Sequence, residues 1–177
     1  MLEANAHNHL KTLHQNNLSL WPNSLTLTRL IARSLRRRDN TLIQLASDSQ
    51  NHWWPGLLIP ICLESNNIVL VLSAKLRRQI IEVELPKLRA SGLNFDYVEG
   101  IRRTPPENKI WLLNHKNLCI SYENDSLKNC QLIIPEAEFL SSELTESMSI
   151  KITPKDWEHL IKFYPGYESS IINIYER

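Results

Sequence analysis

Apolar residues along this chain fall into short runs that are separated by longer segments with a helical period. The run Ile68–Leu72 is uninterrupted and partly β-branched, which is typical of a buried strand in a parallel sheet. Other short apolar runs predict strands at 41–46, 94–98, 109–113 and 131–134. Strands that alternate with helices at this spacing predict an α/β layered fold, with a mainly parallel sheet flanked by helices.

Helices are predicted where apolar residues recur three and four positions apart. Ser24 is a candidate N-cap for the first of these helices. Its apolar stripe comprises Leu27, Leu30, Ile31 and Leu35. Further helices are predicted at 53–62, 74–91 and 118–123. We expect the helix at 74–91 to kink near Pro86 and to end at Gly92.

The pattern divides the chain into three parts. Residues 1–23 form a polar segment in which we expect a short helix, and residues 24–150 hold the α/β pattern. Residues 151–177 form a helical C-terminal extension that opens at Thr153 with a cap followed by proline. The last predicted helix is still incomplete at Arg177, so we expect this extension to be the start of a further region.

Composition is that of an ordinary globular protein, with 42% hydrophobic and 22% charged residues in 177 positions. The net charge of +1 does not by itself require a nucleic-acid partner. Cys62, Cys119 and Cys130 lack zinc or iron–sulfur spacing, and we expect three buried, reduced thiols. No apolar run is long enough to span a membrane, so we expect a cytoplasmic protein with no membrane partner.

Two short motifs follow neighbouring predicted strands. Asn114-His115 comes directly after the strand at 109–113, and the tetrad Pro-Glu-Ala-Glu at 135–138 follows the strand at 131–134. This order resembles the first motor lobe of a superfamily-2 DNA helicase of the DinG/XPD type, in which one strand runs into Asn-His and the next ends in Asp-Glu-Ala-His. The resemblance covers about residues 24–144. It implies a RecA-like fold, ATP-driven DNA unwinding, and ATP and magnesium as cofactors.

The chain departs from the helicase pattern where ATP would bind. The phosphate-loop position is occupied by Ser47, Asp48, Ser49, Gln50, Asn51 and His52. The lysine and the serine or threonine of that loop are replaced by Trp53 and Trp54, for which packing against the sheet is the favoured interpretation over base stacking. Pro135 replaces the magnesium-binding aspartate. We therefore expect no bound cofactor and no metal site.

Glu136 keeps the position of the catalytic glutamate, so the resemblance makes it the candidate catalytic residue. Without its metal-binding neighbour it has no evident hydrolytic role. The alternative is structural, with Pro135 and Glu136 opening a helix whose dipole the glutamate complements.

The resemblance also implies a track for single-stranded nucleic acid. Its candidate residues are Ser73, Lys75, Arg77, Arg78, Asn114 and His115. The alternative is a solvated βα loop, with Asn114 as the N-cap of the next helix and His115 at the surface. A cluster of five arginines between residues 29 and 38 is interpreted as a solvated helix face rather than a phosphate footprint.

Three hypotheses about function follow. The first is a helicase-related lobe that binds nucleic acid, with single-stranded DNA as the partner and with impaired or absent ATP hydrolysis. The second is a non-catalytic interaction or relic domain with a RecA-like fold, whose partner is another protein chain. The third is a truncated reading-frame remnant that folds poorly.

Overall fold

The computed structural model describes residues 2–15, 22–45, 53–64, 67–150 and 152–175. The chain divides into two compact units, residues 1–144 and residues 145–177. The larger unit contains the sheet, and the smaller unit is helical. In the described residues no helix combines the length and apolar character needed to cross a membrane.

The sheet of the larger unit has four strands, and every pairing in it is parallel. The strands are β1 Ile68–Val71, β2 Asp96–Glu99, β3 Lys109–Leu113 and β4 Gln131–Ile133. Their order across the sheet is β2-β3-β1-β4, which places β1 and β3 at the centre. The predicted α/β layered fold with a parallel sheet is confirmed.

The two central strands are apolar, apart from the exposed Lys109 that begins β3, because both of their faces are covered. In β1, Ile68 and Leu70 belong to one buried cluster, whereas Val69 and Val71 belong to another. Successive side chains of a strand point to opposite faces, so the two clusters are the two faces of the sheet. The continuous apolar run that predicted β1 is therefore the consequence of burial on both sides.

The face that carries Ile68 and Leu70, which we call the first face, is covered by most of the helices of the larger unit. They are α1 Leu2–Gln15, α2 Ser24–Arg37, α3 Trp54–Leu63, α4 Ala74–Gln79 and α5 Leu85–Ala90. Helix α1 packs on α2 and α3, and its Ala6, Leu10 and Leu13 are buried in the core. The first residues of the chain, which are predicted to be a polar segment with a short helix, form that helix and carry an apolar stripe on it.

Helices α4 and α5 are joined by a π-helical stretch, Ile80–Glu84. Pro86 has no N–H to donate to the carbonyl group four residues earlier, and the helix widens just before it. The predicted kink therefore takes the form of a π-helical stretch. Gly92 follows with a φ of +88°, as predicted for the residue that ends this helix.

The opposite face, which carries Val69 and Val71 and which we call the second face, is covered by fewer elements. Helix α6, His115–Glu123, places Leu118 in the cluster of Val69 and Trp111. A 3-10 turn, Ala137–Phe139, then leads into α7, Leu140–Met148.

Three local predictions are wrong. Residues 41–45, the described part of the strand expected at 41–46, are irregular, and the side chain of Leu42 is 87% exposed. Thr41 instead bonds through its hydroxyl to Ser34, 2.9 Å away, and no strand of the described sheet pairs with this segment. The N-cap of α2 is Asn23 rather than Ser24. Residues 135–136 form a turn and do not open a helix directly.

The smaller unit consists of α8 Pro154–Phe163, a 3-10 turn Pro165–Tyr167, and α9 Glu168–Tyr175. Thr153 caps α8 as predicted. Its hydroxyl accepts the Asp156 N–H at 3.4 Å, and the Asp156 carboxylate accepts the Thr153 N–H at 2.7 Å. This reciprocal pair is a capping box.

Candidate nucleic-acid interface

Most of the predicted site residues lie where the four strands end. Leu70 of β1 is level with Leu112 of β3, which in turn is level with Glu99 of β2. Because the strands are parallel, all of their carboxyl ends meet at the same edge of the sheet. We call this region the carboxyl edge and define it as residues 73–78, 100–103, 114–116 and 135–136.

The centre of the carboxyl edge is a topological switch point. The connection after β1 lies on the first face and leads to β2, whereas α6, which follows β3, lies on the second face and leads to β4. A crevice forms where two adjacent strands send their connections to opposite faces, and ligands of open α/β sheets bind there. Ser73 and Asn114 flank this crevice, since they follow the adjacent strands β1 and β3.

Ser73 is the N-cap of α4. Its Oγ accepts a hydrogen bond from the Leu76 N–H at 3.4 Å and donates one to Oε2 of Glu136 at 3.4 Å. The strand-to-helix turn after β1 and the turn after β4 are therefore in contact. The structure thus brings together the candidate catalytic residue and the first candidate of the nucleic-acid track.

The three cations of α4 have different environments. Arg77 forms an ion pair with Glu99 at the end of β2, so its guanidinium group is engaged within the chain. Lys75 and Arg78 are exposed, and in the described part of the chain neither has an ion pair. Lys75 and Arg78 are therefore the cations of this helix that a ligand can reach without breaking an existing pair.

Asn114 and His115 differ in exposure. Asn114 is exposed, and its Oδ1 accepts the Asn117 N–H at 2.7 Å, which confirms its predicted role as the N-cap of α6. His115 is only 7% exposed, and its Nδ1 lies 3.2 Å from Oε2 of Glu143 on α7. The expectation that His115 is a surface residue is wrong, because its side chain is buried and its imidazole lies against the Glu143 carboxylate.

The helicase resemblance implies a magnesium ligand at position 135 and a catalytic glutamate at position 136. Pro135 offers no side-chain ligand, and the neighbouring Glu136 accepts a hydrogen bond from Ser73. In the ranges that the structure describes, no group of three or more His, Cys, Asp or Glu side chains could hold a metal ion. The six residues at the phosphate-loop position, 47–52, lie outside the described residues.

The two tryptophans at the predicted phosphate-loop position pack against the core of the first face. Trp54 is fully buried in the core of the first face, and the half-buried Trp53 packs against the same core. The two rings stack with their centroids 3.9 Å apart. The packing interpretation is therefore confirmed for Trp54, whose ring offers no free surface to a base.

Arg102 and Arg103 follow the carboxyl end of β2, three and four positions after Glu99, and the helicase resemblance assigns them no role. Both are exposed in the loop that follows β2. The Nε1–H group of the buried Trp111 donates a hydrogen bond to the Gly100 carbonyl at 2.7 Å, at the start of this loop. The signal in the sequence is a pair of arginines that begins four positions after the predicted strand at 94–98.

The remaining polar features lie elsewhere. A shallow surface concavity is lined by Glu3, Ala4, His7, Asn8 and Arg29, none of which belongs to the carboxyl edge. Cys62, Cys119 and Cys130 are free thiols, as predicted, although only Cys62 is fully buried. Burial raises the pKa of the Cys62 thiol strongly and that of Cys130 less, so Cys62 is protonated at neutral pH.

Comparisons with protein-family models, with curated proteins and with solved structures find no match to this chain. The function of the carboxyl edge is therefore inferred from its own chemistry and from the order of its elements.

Proposed function

We propose that this chain is a degenerate first lobe of a superfamily-2 DNA helicase of the DinG/XPD type, with a RecA-like fold. It binds single-stranded nucleic acid at the carboxyl edge and does not hydrolyse ATP. The order of the elements supports this assignment, since β3 runs into Asn114-His115, α6 follows, and β4 then leads to Glu136. The irregular backbone at 41–45, where the helicase pattern has a strand, is a departure from that pattern.

The observation that carries the proposal is an arrangement of two helix starts beside one crevice. Helices α4 and α6 begin after adjacent parallel strands, with Ser73 and Asn114 as their N-caps. Neither helix has an acidic residue in its first turn, and each has an exposed lysine there, Lys75 in α4 and Lys116 in α6. Lysine is unfavourable at a helix N-terminus, where the helix dipole already places positive charge.

A bound anion would remove this unfavourable arrangement. The free N–H groups and the positive end of a helix dipole form a site that suits phosphate oxygens. Two such sites on adjacent strands, each with an exposed lysine in the first turn of its helix, suit a ligand that carries several phosphates in a row. Single-stranded nucleic acid has that property, and its backbone is flexible enough to follow a curved edge.

Loss of ATP hydrolysis is inferred from the same edge. Pro135 cannot bind a metal ion, and Glu136 contacts Ser73. A general base for water attack needs a positioned nucleotide and metal ion, and the described residues provide neither ligand set. We therefore expect the purified chain to release no phosphate from ATP above background, and Glu136→Gln to leave that background unchanged.

The double variant Lys75→Ala/Arg78→Ala tests the binding site. Fluorescence anisotropy of a labelled single-stranded oligonucleotide of about 20 nucleotides gives the affinity at several salt concentrations. We expect roughly tenfold weaker binding at low salt. The slope of the logarithm of the affinity against the logarithm of the salt concentration should become shallower by about 1.4, since each phosphate contact contributes about 0.7.

The matched control for that variant is Arg29→Ala/Arg33→Ala. It removes the same charge from exposed positions on α2, outside the carboxyl edge. Equal losses in the two variants would show that only the overall charge matters and would contradict a site at α4. Failure of the folded, unaltered chain to bind at about 50 mM salt would reject the proposed function.

A protein-interaction domain is the second candidate, and the second face of the sheet favours it. Leu132 of β4 is level with Val69, so it lies on the face that α6 and α7 cover, yet it is 45% exposed. Tyr122 of α6 and Phe139 of the 3-10 turn before α7 are also exposed. This candidate predicts no salt-dependent nucleic-acid binding, so the same anisotropy experiment separates the two functions.

A further inference from the structure

The loop after β2 leaves the sheet at the same edge as the proposed nucleic-acid interface. Glu99, Leu112 and Leu70 are level with one another across β2, β3 and β1. Arg102 follows Glu99 by three positions, as His115 follows Leu112 and Ser73 follows Leu70. Strand β2 lies two positions from β1, which is about 10 Å across a sheet.

The start of this loop is fixed to the protein core. Gly100 has a φ of +84°, a conformation that glycine adopts readily and other residues rarely do. Its carbonyl oxygen accepts the Nε1–H of Trp111, a fully buried residue of β3. The direction in which the chain leaves β2 is therefore set by a core residue, and β3 holds the far end of the loop.

The charge of this corner of the molecule is positive. The adjacent carboxylate, Glu99, is already paired with Arg77. Arg102 and Arg103 are exposed, and neither has an ion pair among the residues that the structure describes. Arg77 thus neutralises the one acidic residue that ends β2, and the two loop arginines are left to act on an external anion.

We propose that Arg102 and Arg103 contact phosphates of single-stranded nucleic acid, as the second half of a track whose first half is Lys75 and Arg78. This inference rests on the proposed function and extends it from the crevice beside β1 to the outer strand β2. The bound strand then runs along the carboxyl edge, across the ends of β1, β3 and β2. Arginine suits this role because its planar guanidinium group binds two phosphate oxygens at once.

The test is the double variant Arg102→Ala/Arg103→Ala, measured by anisotropy with the same labelled oligonucleotide between about 50 and 200 mM salt. We expect roughly tenfold weaker binding at low salt and a salt slope shallower by about 1.4 for the two lost contacts. Arg102→Lys/Arg103→Lys keeps both charges and should retain the slope while losing part of the affinity.

Arg29→Ala/Arg33→Ala is again the matched control for charge. If the unaltered chain binds, and Arg102→Ala/Arg103→Ala loses the same affinity as Arg29→Ala/Arg33→Ala, the inference is overturned while the proposed function stands. If the Arg102→Ala/Arg103→Ala chain is folded by circular dichroism and binds like the unaltered chain, the inference is likewise overturned. If the folded unaltered chain does not bind at all, the inference and the proposed function fall together.

Discussion

The Ser73 hydroxyl donates a hydrogen bond to Oε2 of Glu136 across 3.4 Å, and this contact joins the carboxyl ends of β1 and β4. These strands are neighbours in the sheet, but their last residues are more than sixty positions apart in the chain. Glu136, to which the proposed helicase resemblance gives the place of the catalytic glutamate, is thus held by the residue that caps α4. Its surroundings are those of a structural carboxylate.

Ser73→Ala removes both this contact and the cap of α4. We expect the free energy of unfolding to fall by about 1 kcal/mol, which is typical for the loss of a serine N-cap. Urea denaturation followed by circular dichroism measures this change. Glu136→Gln is the matched variant, because it keeps an acceptor oxygen for the hydroxyl and should lower stability less than Ser73→Ala does. A larger loss in Glu136→Gln would contradict the assigned geometry.

Asn114→Ala tests the cap of α6. The Asn114 side chain accepts the Asn117 N–H at 2.7 Å, and we expect its removal to cost about 1 kcal/mol of unfolding free energy. Asn114→Ser restores a capping oxygen and should recover most of that loss. If Asn114→Ser recovers stability but not oligonucleotide binding, the amide has a contact with the ligand beyond its role as a cap.

Alanine variants of Trp53 and Trp54 distinguish packing in the protein core from stacking on a nucleic-acid base. Trp54 is fully buried, so Trp54→Ala should lower the unfolding free energy by about 3–5 kcal/mol, as for other buried aromatic truncations. Trp53 is only half-buried, and Trp53→Ala should cost clearly less. Both are measured by urea denaturation. A Trp53→Ala chain with unchanged stability but weakened oligonucleotide binding would support stacking on a base instead.

Asp156 makes the capping box of α8 sensitive to acid. Hydrogen bonds from the Thr153 hydroxyl, and then from the Thr153 N–H, hold the pKa of the Asp156 carboxyl below its ordinary value. A lowered folded-state pKa stabilises the box above the ordinary aspartate pKa, and this stabilisation is lost as the pH falls through the folded-state value. NMR titration of Asp156 should show the low pKa, and Thr153→Ala should move it back upward. An unchanged pKa in that variant would contradict the hydrogen-bonded origin of the shift.

Much of the fold could be predicted because its signals are local. Strand β3 was predicted with the observed bounds, 109–113, since its apolar run reflects burial on both faces. Helix α3 is predicted despite Gly56 and Pro60, because Pro55 is well suited to the first turn of a helix. The segment 41–46 has a similar local pattern, but a strand also needs a partner, and its described residues 41–45 have none in the described sheet. Pairing of that kind is not encoded within six residues.

The site could be predicted only in part. The capping role of Asn114 is a local property, and it was foreseen. The contact partner of His115 is Glu143, which lies 28 positions further along the chain, and nothing near His115 indicates it. The same holds for Arg77, whose partner Glu99 comes from another strand. Contacts between distant segments therefore decided which predicted residues remain available to a ligand.

The measurement that tests the central claim most directly is the salt dependence of single-stranded oligonucleotide binding by the folded, unaltered chain. Five cations, Lys75, Arg78, Arg102, Arg103 and Lys116, should contribute about 0.7 each, so the logarithm of the affinity should fall with the logarithm of the salt concentration with a slope of about −3.5. Such a slope, with a measurable affinity at about 50 mM salt, is the result that we predict. The absence of binding at any salt concentration, or binding that does not respond to salt, would contradict a phosphate-binding carboxyl edge.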